Sequence, residues 1–209
     1  MMTVMIPTKN RPDKLAVCLR SIPDWVAVSI VATKSDDLPI EAKNKKRVHT
    51  SVLIAPDMTV PKAFNHMAST SMGDVIMSSD DVEYEEDAFD IVQASFCTYG
   101  HDIVFGMHVI NMECNEDAFQ CVGVTFKFEH APLYCEEYHH FYIDTEVGDK
   151  AKALGKFIYL KQARLKNFHP SSGYPADETH THLRLEKLSH DTRVYEERKL
   201  HMANGRILH

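Results

Sequence analysis

The sequence predicts an α/β fold, a mostly parallel sheet flanked by helices, in a single domain over residues 1–209. Three observations carry this. Short apolar runs alternate with helically periodic stretches through the first hundred residues, as expected of strands covered on both faces. Prolines and glycines fall at the ends of these segments, where a missing donor or a left-handed residue costs least. A length of 209 residues with 44% hydrophobic and 25% charged side chains suits one core, without low-complexity tracts or a solenoid period.

Met2–Ile6 is an apolar run closed by Pro7, a buried strand that stops where a backbone donor disappears. Thr8 to Arg11 is a loop, and Pro12 opens a helix whose inner face is Leu15, Cys18, Leu19 and Ile22. Trp25–Ala32 is the second strand. The polar stretch Lys34–Arg47 reads as a loop with a short exposed helix, and Val48–Ile54 as the third strand. Thr59 is a plausible N-cap, with Pro61 near the first helical position and Phe64, Met67 and Ala68 facing inward. The fourth strand begins at Asp74. Glu83 to Asp87 places negative charge on the first turn of a third helix, with Ala88, Ile91, Val92, Ser95 and Phe96 on its face and Gly100 as its stop. Strands follow at Ile103–Met107 and Cys121–Phe128, separated by the polar Asn111–Asp117. Asp144–Leu154 reads as a helix ended by Gly155, then Phe157–Leu160 as a strand and a basic stretch with Lys161, Arg164 and Lys166. The last forty residues are polar and rich in histidine, with little periodicity.

No run approaches the roughly 20 apolar residues of a membrane helix, and the N-terminus lacks the pattern of a signal peptide, so the expected location is the cytoplasm. Cys18, Cys97, Cys114, Cys121 and Cys135 form no C-x-x-C pair and read as reduced and mostly buried. Charge is uneven: residues 1–147 carry 11 Lys+Arg against 23 Asp+Glu, or -12, and residues 148–209 carry 12 against 7, or +5, which sum to -7. The acidic part discourages general nucleic-acid binding, while the basic part suits either phosphates or a solvated helix face.

The chemistry centres on Gly73-Asp74-Val75-Ile76-Met77-Ser78-Ser79-Asp80-Asp81. A buried strand there delivers Asp80 and Asp81 at its C-terminal edge, where open α/β sheets place ligands. Two such carboxylates suit a hard divalent cation with positions to spare for diphosphate oxygens; the plainer alternative is that they start a turn. In the tail, His180 and His182 alternate as strand neighbours do and, with Asp177, compose a possible metal cluster or an exposed pair. Gly155-Lys156-Phe157 is no phosphate loop.

These features, in this order, resemble the GT-A fold glycosyltransferases, most closely the family 2 group. Val4-Met5-Ile6-Pro7-Thr8-Lys9-Asn10-Arg11-Pro12 resembles that family's first strand and I-P-T-x-N-R-P loop. Asn65 matches the asparagine of A-R-N, Gly73-Asp74-Val75-Ile76 resembles G-D-[YV]-[IL], and Ser79-Asp80-Asp81 stands at D-x-D. Asp144-Thr145-Glu146 resembles the E-D-x-[DE] segment, and His169 falls where many members have a histidine. The match covers about residues 1–169. It implies a nucleotide-binding half over 1–100 and an acceptor-side half over 101–209 with the basic C-terminal part.

The resemblance also implies roles. Pro7, Thr8, Asn10, Arg11, Asn65 and Asp80 would bind the nucleotide; Asp81 and His169 would hold Mn2+ or Mg2+; Asp144 would be the general base of an inverting transfer, with Glu146 as its stand-in. The donor would be a nucleotide-diphosphate sugar, expected to be a uridine one, and the acceptor a hydroxyl on a glycan or, as in phage members, on a modified DNA base. A viral member would act in the host cytoplasm. The sequence departs from the family at Val31-Ala32-Thr33-Lys34-Ser35, which replaces V-D-x-G-S, leaving Asp36 or Asp37 to stand in for the base-reading aspartate, and at Ser79 and Ile143. A metal-dependent hydrolase of nucleotide sugars, using His169, His180, His182 and Asp177, and a non-catalytic nucleotide- or glycan-binding relative are the alternatives.

Overall fold

Strand β1 (Met2–Thr8) alternates its side chains between two cores, Val4 and Ile6 into one and Met5 into the other, as a central strand covered on both faces must. The computed structural model describes residues 1–43, 46–71, 73–112, 124–127, 134–170, 173–176 and 184–203. The elements that follow β1 are α1 (Pro12–Ser21), β2 (Ala27–Ala32), β3 (Thr50–Ile54), α2 (Val60–Thr70), β4 (Asp74–Met77), β5 (Val82–Tyr84), α3 (Ala88–Tyr99), β6 (Val104–Val109), β7 (Val124–Lys127), α4 (Ile143–Ala153), β8 (Phe157–Asn167) and α5 (Arg184–Ala203). They build one eight-stranded sheet in the order β3-β2-β1-β4-β7-β6-β8-β5. The first four strands are parallel, β7 runs antiparallel to β4 and β6, and β8 is parallel to β6. This is the expected α/β class. One face packs α1 and α3 through Leu15, Cys18, Leu19, Phe89, Val92 and Phe96; the other packs α2, α4 and α5 through Phe64, Met67, Val147, Val194 and Tyr195. No described helix is long and apolar enough to cross a membrane.

Gly73 sets the entry into β4. Its φ is +83°, and a Cβ there would lie 2.1 Å from the Met1 carbonyl oxygen, which accepts the Asp74 N–H at 3.0 Å.

Several expectations change. Val82–Tyr84 is a strand, not the approach to a helix: Val82 and Tyr84 are buried on either side of Glu83, and the segment pairs with β8. The third helix therefore begins at Ala88, with Asp87 as its N-cap. Strand β8 is longer than its apolar start and runs past a bulge, so Arg164 and Lys166 lie within it, opposite Glu85 at 2.6 Å and Glu83 at 3.4 Å. Trp25 lies outside β2 and is exposed. Cys97 is exposed rather than buried, whereas Cys18 is buried and Cys135 half-buried. The stretch Lys34–Arg47 forms two short 3₁₀ turns at Ser35–Asp37 and Ile40–Lys43. Most of the 111–117 loop and the ends of the predicted 121–128 strand lie outside the described residues.

Arg47 is buried, although it closes a polar stretch read as a loop with an exposed helix. Its two terminal nitrogens donate to the carbonyls of Pro23 (3.0 Å), Val26 (3.3 Å), Leu19 (3.0 Å) and Ile22 (3.2 Å), closing the C-terminal end of α1 and the turn into β2. Arg47→Ala removes all four bonds, leaving the Leu19 and Pro23 carbonyls only their backbone partners Ile22 and Val26, and is expected to cost about 3 kcal/mol, read as a melting temperature lower by roughly 6–12 °C.

Candidate active site

The parallel strands β1 and β4 end beside each other, so the loops at their C-terminal ends open into one cavity of about 640 Å³. Its lining includes Pro7 and Thr8 at the end of β1, Arg11 in the loop after it, Asp80 and Asp81 after β4, and Asp144 and His169 from the second half. Seven of the residues proposed from sequence are thus gathered in one place. Asn10, Asn65 and Glu146 are not.

Asp80 and Asp81 are both 3% exposed. Asp80 Oδ2 accepts the Thr8 hydroxyl at 2.7 Å and its Oδ1 accepts Arg11 Nη1 at 3.1 Å. The same Nη1 donates to Asp81 Oδ2 at 3.3 Å, and the other Asp81 oxygen accepts the Ser79 hydroxyl. One cationic nitrogen therefore bridges two carboxylates. Burial, and next the Asp81 charge, push the Asp80 carboxyl up to about 6 against the opposing pull of Arg11 and Thr8. His169 is tied to this loop through its neighbour, since the Phe168 N–H donates to the Asp81 carbonyl at 2.7 Å.

Asn10 has a left-handed backbone, φ 56°, and its N–H donates to Asp37 Oδ1 at 2.8 Å. Asp37 is fully buried and its Oδ2 accepts Thr33 Oγ1 at 2.7 Å and the Lys34 N–H at 3.2 Å. Asp37 thus staples the loop after β1 to the loop after β2 and has no oxygen facing a base; neither it nor Asp36 lines the cavity, whereas Thr33 does. Asn65 exchanges two hydrogen bonds with the Tyr134 backbone, at 2.7 and 3.0 Å, and donates to Glu136 at 3.0 Å. It docks the segment leading to α4.

Helix α4 starts after Tyr142, whose φ of 64° turns the chain and whose ring stacks on Tyr195 at 4.7 Å. Asp144 lies in its first turn, faces the cavity, and accepts the Thr145 N–H on Oδ1 at 2.8 Å. Glu146 is 3% exposed and points into the core instead. It accepts Tyr138 Oη at 2.6 Å, Arg198 Nε and Nη2 at 2.8 and 2.7 Å, and Lys150 Nζ at 2.6 Å. Burial opposes its ionisation, but the bonds from Arg198, Lys150 and Tyr138 outweigh that and hold it down at about 2. A carboxylate so depressed is no general base at neutral pH. Because its folded value lies below the unfolded one, its stabilisation is complete above about pH 4.5 and is lost as pH falls toward 2, a loss of about 3 kcal/mol. Acid unfolding of Glu146→Gln is expected to lack this component, read as a flatter stability curve between pH 4.5 and 2.

One cationic cavity residue escaped the sequence reading. Lys187 comes from α5, an element the sequence did not announce. His140, four residues before Asp144, also lines the cavity; crowding by protein, then the charges of Lys187 and Arg11, move its imidazole downward, although the residue is exposed. The 177–182 histidine cluster lies outside the described residues.

No protein-family model matches the sequence, and no curated protein sequence matches it. Solved structures do. A mannosyltransferase from Pyrobaculum calidifontis, in complex with GDP-mannose and Mn2+, superposes with a TM-score of 0.67 at 15% identity, over 83% of this chain and 58% of that one. Residues 1–349 of S. aureus TarS superpose with a TM-score of 0.62 at 14% identity, over 78% of this chain and 59% of that one. The same TarS residues in complex with UDP-GlcNAc give 0.59 at 12% identity, over 97% and 72%. The chain spans less than two thirds of the first two. Together with the sheet order, these likenesses identify the fold as that of the GT-A glycosyltransferases.

Proposed function

We propose that this protein is a glycosyltransferase that moves a sugar from a nucleotide-diphosphate sugar to an acceptor hydroxyl with inversion. The observation that carries the reading is the single cavity that sets Arg11, Asp80 and Asp81 from one half against Asp144 from the other. Its volume of about 640 Å³ suits a ligand of nucleotide-sugar size. Neighbours of this fold hold GDP-mannose, UDP and UDP-GlcNAc, which supports a donor of the same class.

A divalent ion fits beside Asp80 and Asp81, because these buried carboxylates already converge on one cationic nitrogen and offer the hard oxygen donors that Mn2+ or Mg2+ prefers. Asp81 and His169 would hold it; when bound, it offsets the charge that develops on the departing diphosphate. Thr8 fixes the orientation of Asp80, which serves the ribose or the ion's outer contacts. Arg11, which lines the cavity beside these carboxylates, would neutralise the diphosphate. Pro7 and Thr8 wall the nucleotide, while Asn10 and Asn65 act at one remove by holding the β1 loop and the 134–136 segment. Asp144 takes the proton of the acceptor hydroxyl as that oxygen bonds to the anomeric carbon and the bond from that carbon to the diphosphate oxygen breaks. The nucleotide is uridine by resemblance, although neither Asp36 nor Asp37 lines the cavity beside Val31, Thr33 and Ala55, where the lining aspartate is Asp57. The acceptor is a glycan or modified-base hydroxyl in the cytoplasm, met on the cavity wall by Lys187 of the basic part.

A thermal-shift panel of UDP, GDP, CDP and ADP, each with and without Mn2+, tests this without knowledge of the acceptor. At about a hundred times its dissociation constant a ligand stabilises by about 2.7 kcal/mol, here roughly 5–10 °C. The expected result is a shift by UDP that needs Mn2+. No shift by any nucleotide sinks the reading, and metal-dependent release of free sugar without acceptor replaces it with hydrolysis.

A further inference from the structure

On the α5 side of the cavity, His139, His190 and Asp191 each present one ligand atom, and these atoms lie within 4.8 Å of one another. Asp191 is fully buried. Its Oδ1 accepts the His139 N–H at 2.9 Å, and its Oδ2 accepts the N–H groups of His140 and Phe141, both at 2.8 Å. Three donors occupy three of about four lone-pair positions on a carboxylate, so Oδ1 keeps acceptor capacity. That oxygen is 3.4 Å from His139 Nδ1, a buried nitrogen that has no hydrogen-bond partner among the described residues. The His190 ring lies 4.4 Å from the His139 ring, tilted by 53°, and its Nε2 meets the Glu137 carbonyl at 3.0 Å. A histidine that gives one ring N–H to a backbone carbonyl has its tautomer fixed and its other nitrogen free to ligate, the usual arrangement behind a bound metal.

We infer that His139, His190 and Asp191 form a zinc site that fastens α5 to the segment leading into α4. Two imidazoles and one carboxylate are the donor set of zinc rather than of Mn2+ or Mg2+, which favour oxygen. Donors around a tetrahedral zinc stand about 3.3 Å apart, so the cluster, whose ligand atoms lie within 4.8 Å of one another, needs a swing of the half-exposed His190. The site is separate from the ion proposed at Asp81. Its effect falls on the acceptor-side wall, because His140 and Phe141 on one side and Lys187 and Leu188 on the other all line the cavity.

The test is a zinc titration by calorimetry and thermal shift on the full chain, stripped with a chelator and carrying Asp81→Ala so that the other site is not counted. One zinc per chain is expected, with a rise in melting temperature. His190→Gln keeps a donor for the Glu137 carbonyl but removes the ligand, and is expected to weaken zinc by at least about tenfold, as is His139→Ala. Cobalt substitution is expected to give tetrahedral visible bands that both variants lose. A parent that takes up no zinc, or variants that titrate like the parent, overturns the site.

Discussion

Asp81→Ala is expected to abolish both the Mn2+-dependent nucleotide shift and sugar transfer while leaving the fold intact. The carboxylate is buried, yet its partners do not need it: Arg11 Nη1 keeps Asp80 Oδ1 at 3.1 Å, and Ser79 is only part-buried. Removing Asp81 also removes one cause of the raised Asp80 carboxyl, so the two-carboxylate repulsion in the metal-free protein is relieved rather than replaced by an unpaired charge. Stability without ligand therefore changes little. The proposed ion, however, would lose the ligand assigned to Asp81, and with it the roughly 5–10 °C shift expected for saturating nucleotide. Transfer falls by on the order of 10³ or more, the scale set by losing preorganised charge at a leaving group. Differential scanning fluorimetry with UDP and Mn2+, beside a transfer assay, reads both effects. A variant that still shifts with UDP only when Mn2+ is present assigns the ion to other residues.

The elements legible in the sequence were those whose signal is local. Leu15, Cys18 and Leu19 repeat at helical spacing and are buried as α1 requires, and Val75 to Met77 is an unbroken apolar run that becomes β4. β5 is three residues long, and its partner Lys166 lies 83 positions along the chain, so nothing nearby distinguishes it from the acidic run that follows. α5 was silent for a different reason. Apart from Val194 and Tyr195 it docks through polar groups, Asp191 onto backbone N–H groups and Arg198 onto Glu146, and such contacts leave no hydrophobic period to read. The site divides in the same way. Thr8, Arg11, Asp80, Asp81, Asp144 and His169 sit in short motifs and were nameable; that Asn10 belongs to Asp37, Asn65 to Tyr134 and Glu146 to Arg198 depends on tertiary partners 27, 69 and 52 positions away.

Asp144→Asn is expected to separate binding from chemistry. The asparagine amide oxygen can still accept the Thr145 N–H that Asp144 Oδ1 takes at 2.8 Å, so the start of α4 and the cavity wall persist. The Mn2+-dependent UDP shift should then match the parent. An amide cannot take the acceptor proton, and transfer should fall by roughly 10²–10⁴, the usual contribution of a positioned general base. Glu146 offers no rescue, because its oxygens are spent on Arg198, Lys150 and Tyr138 and its carboxyl is held at about 2. Equal nucleotide shifts with lost turnover, measured on the same preparation, place the defect in proton removal. Parental turnover moves the base elsewhere, and the cavity then points to His140, whose imidazole is kept neutral by crowding and by Lys187 and Arg11 and so has a lone pair to accept the proton at pH 7.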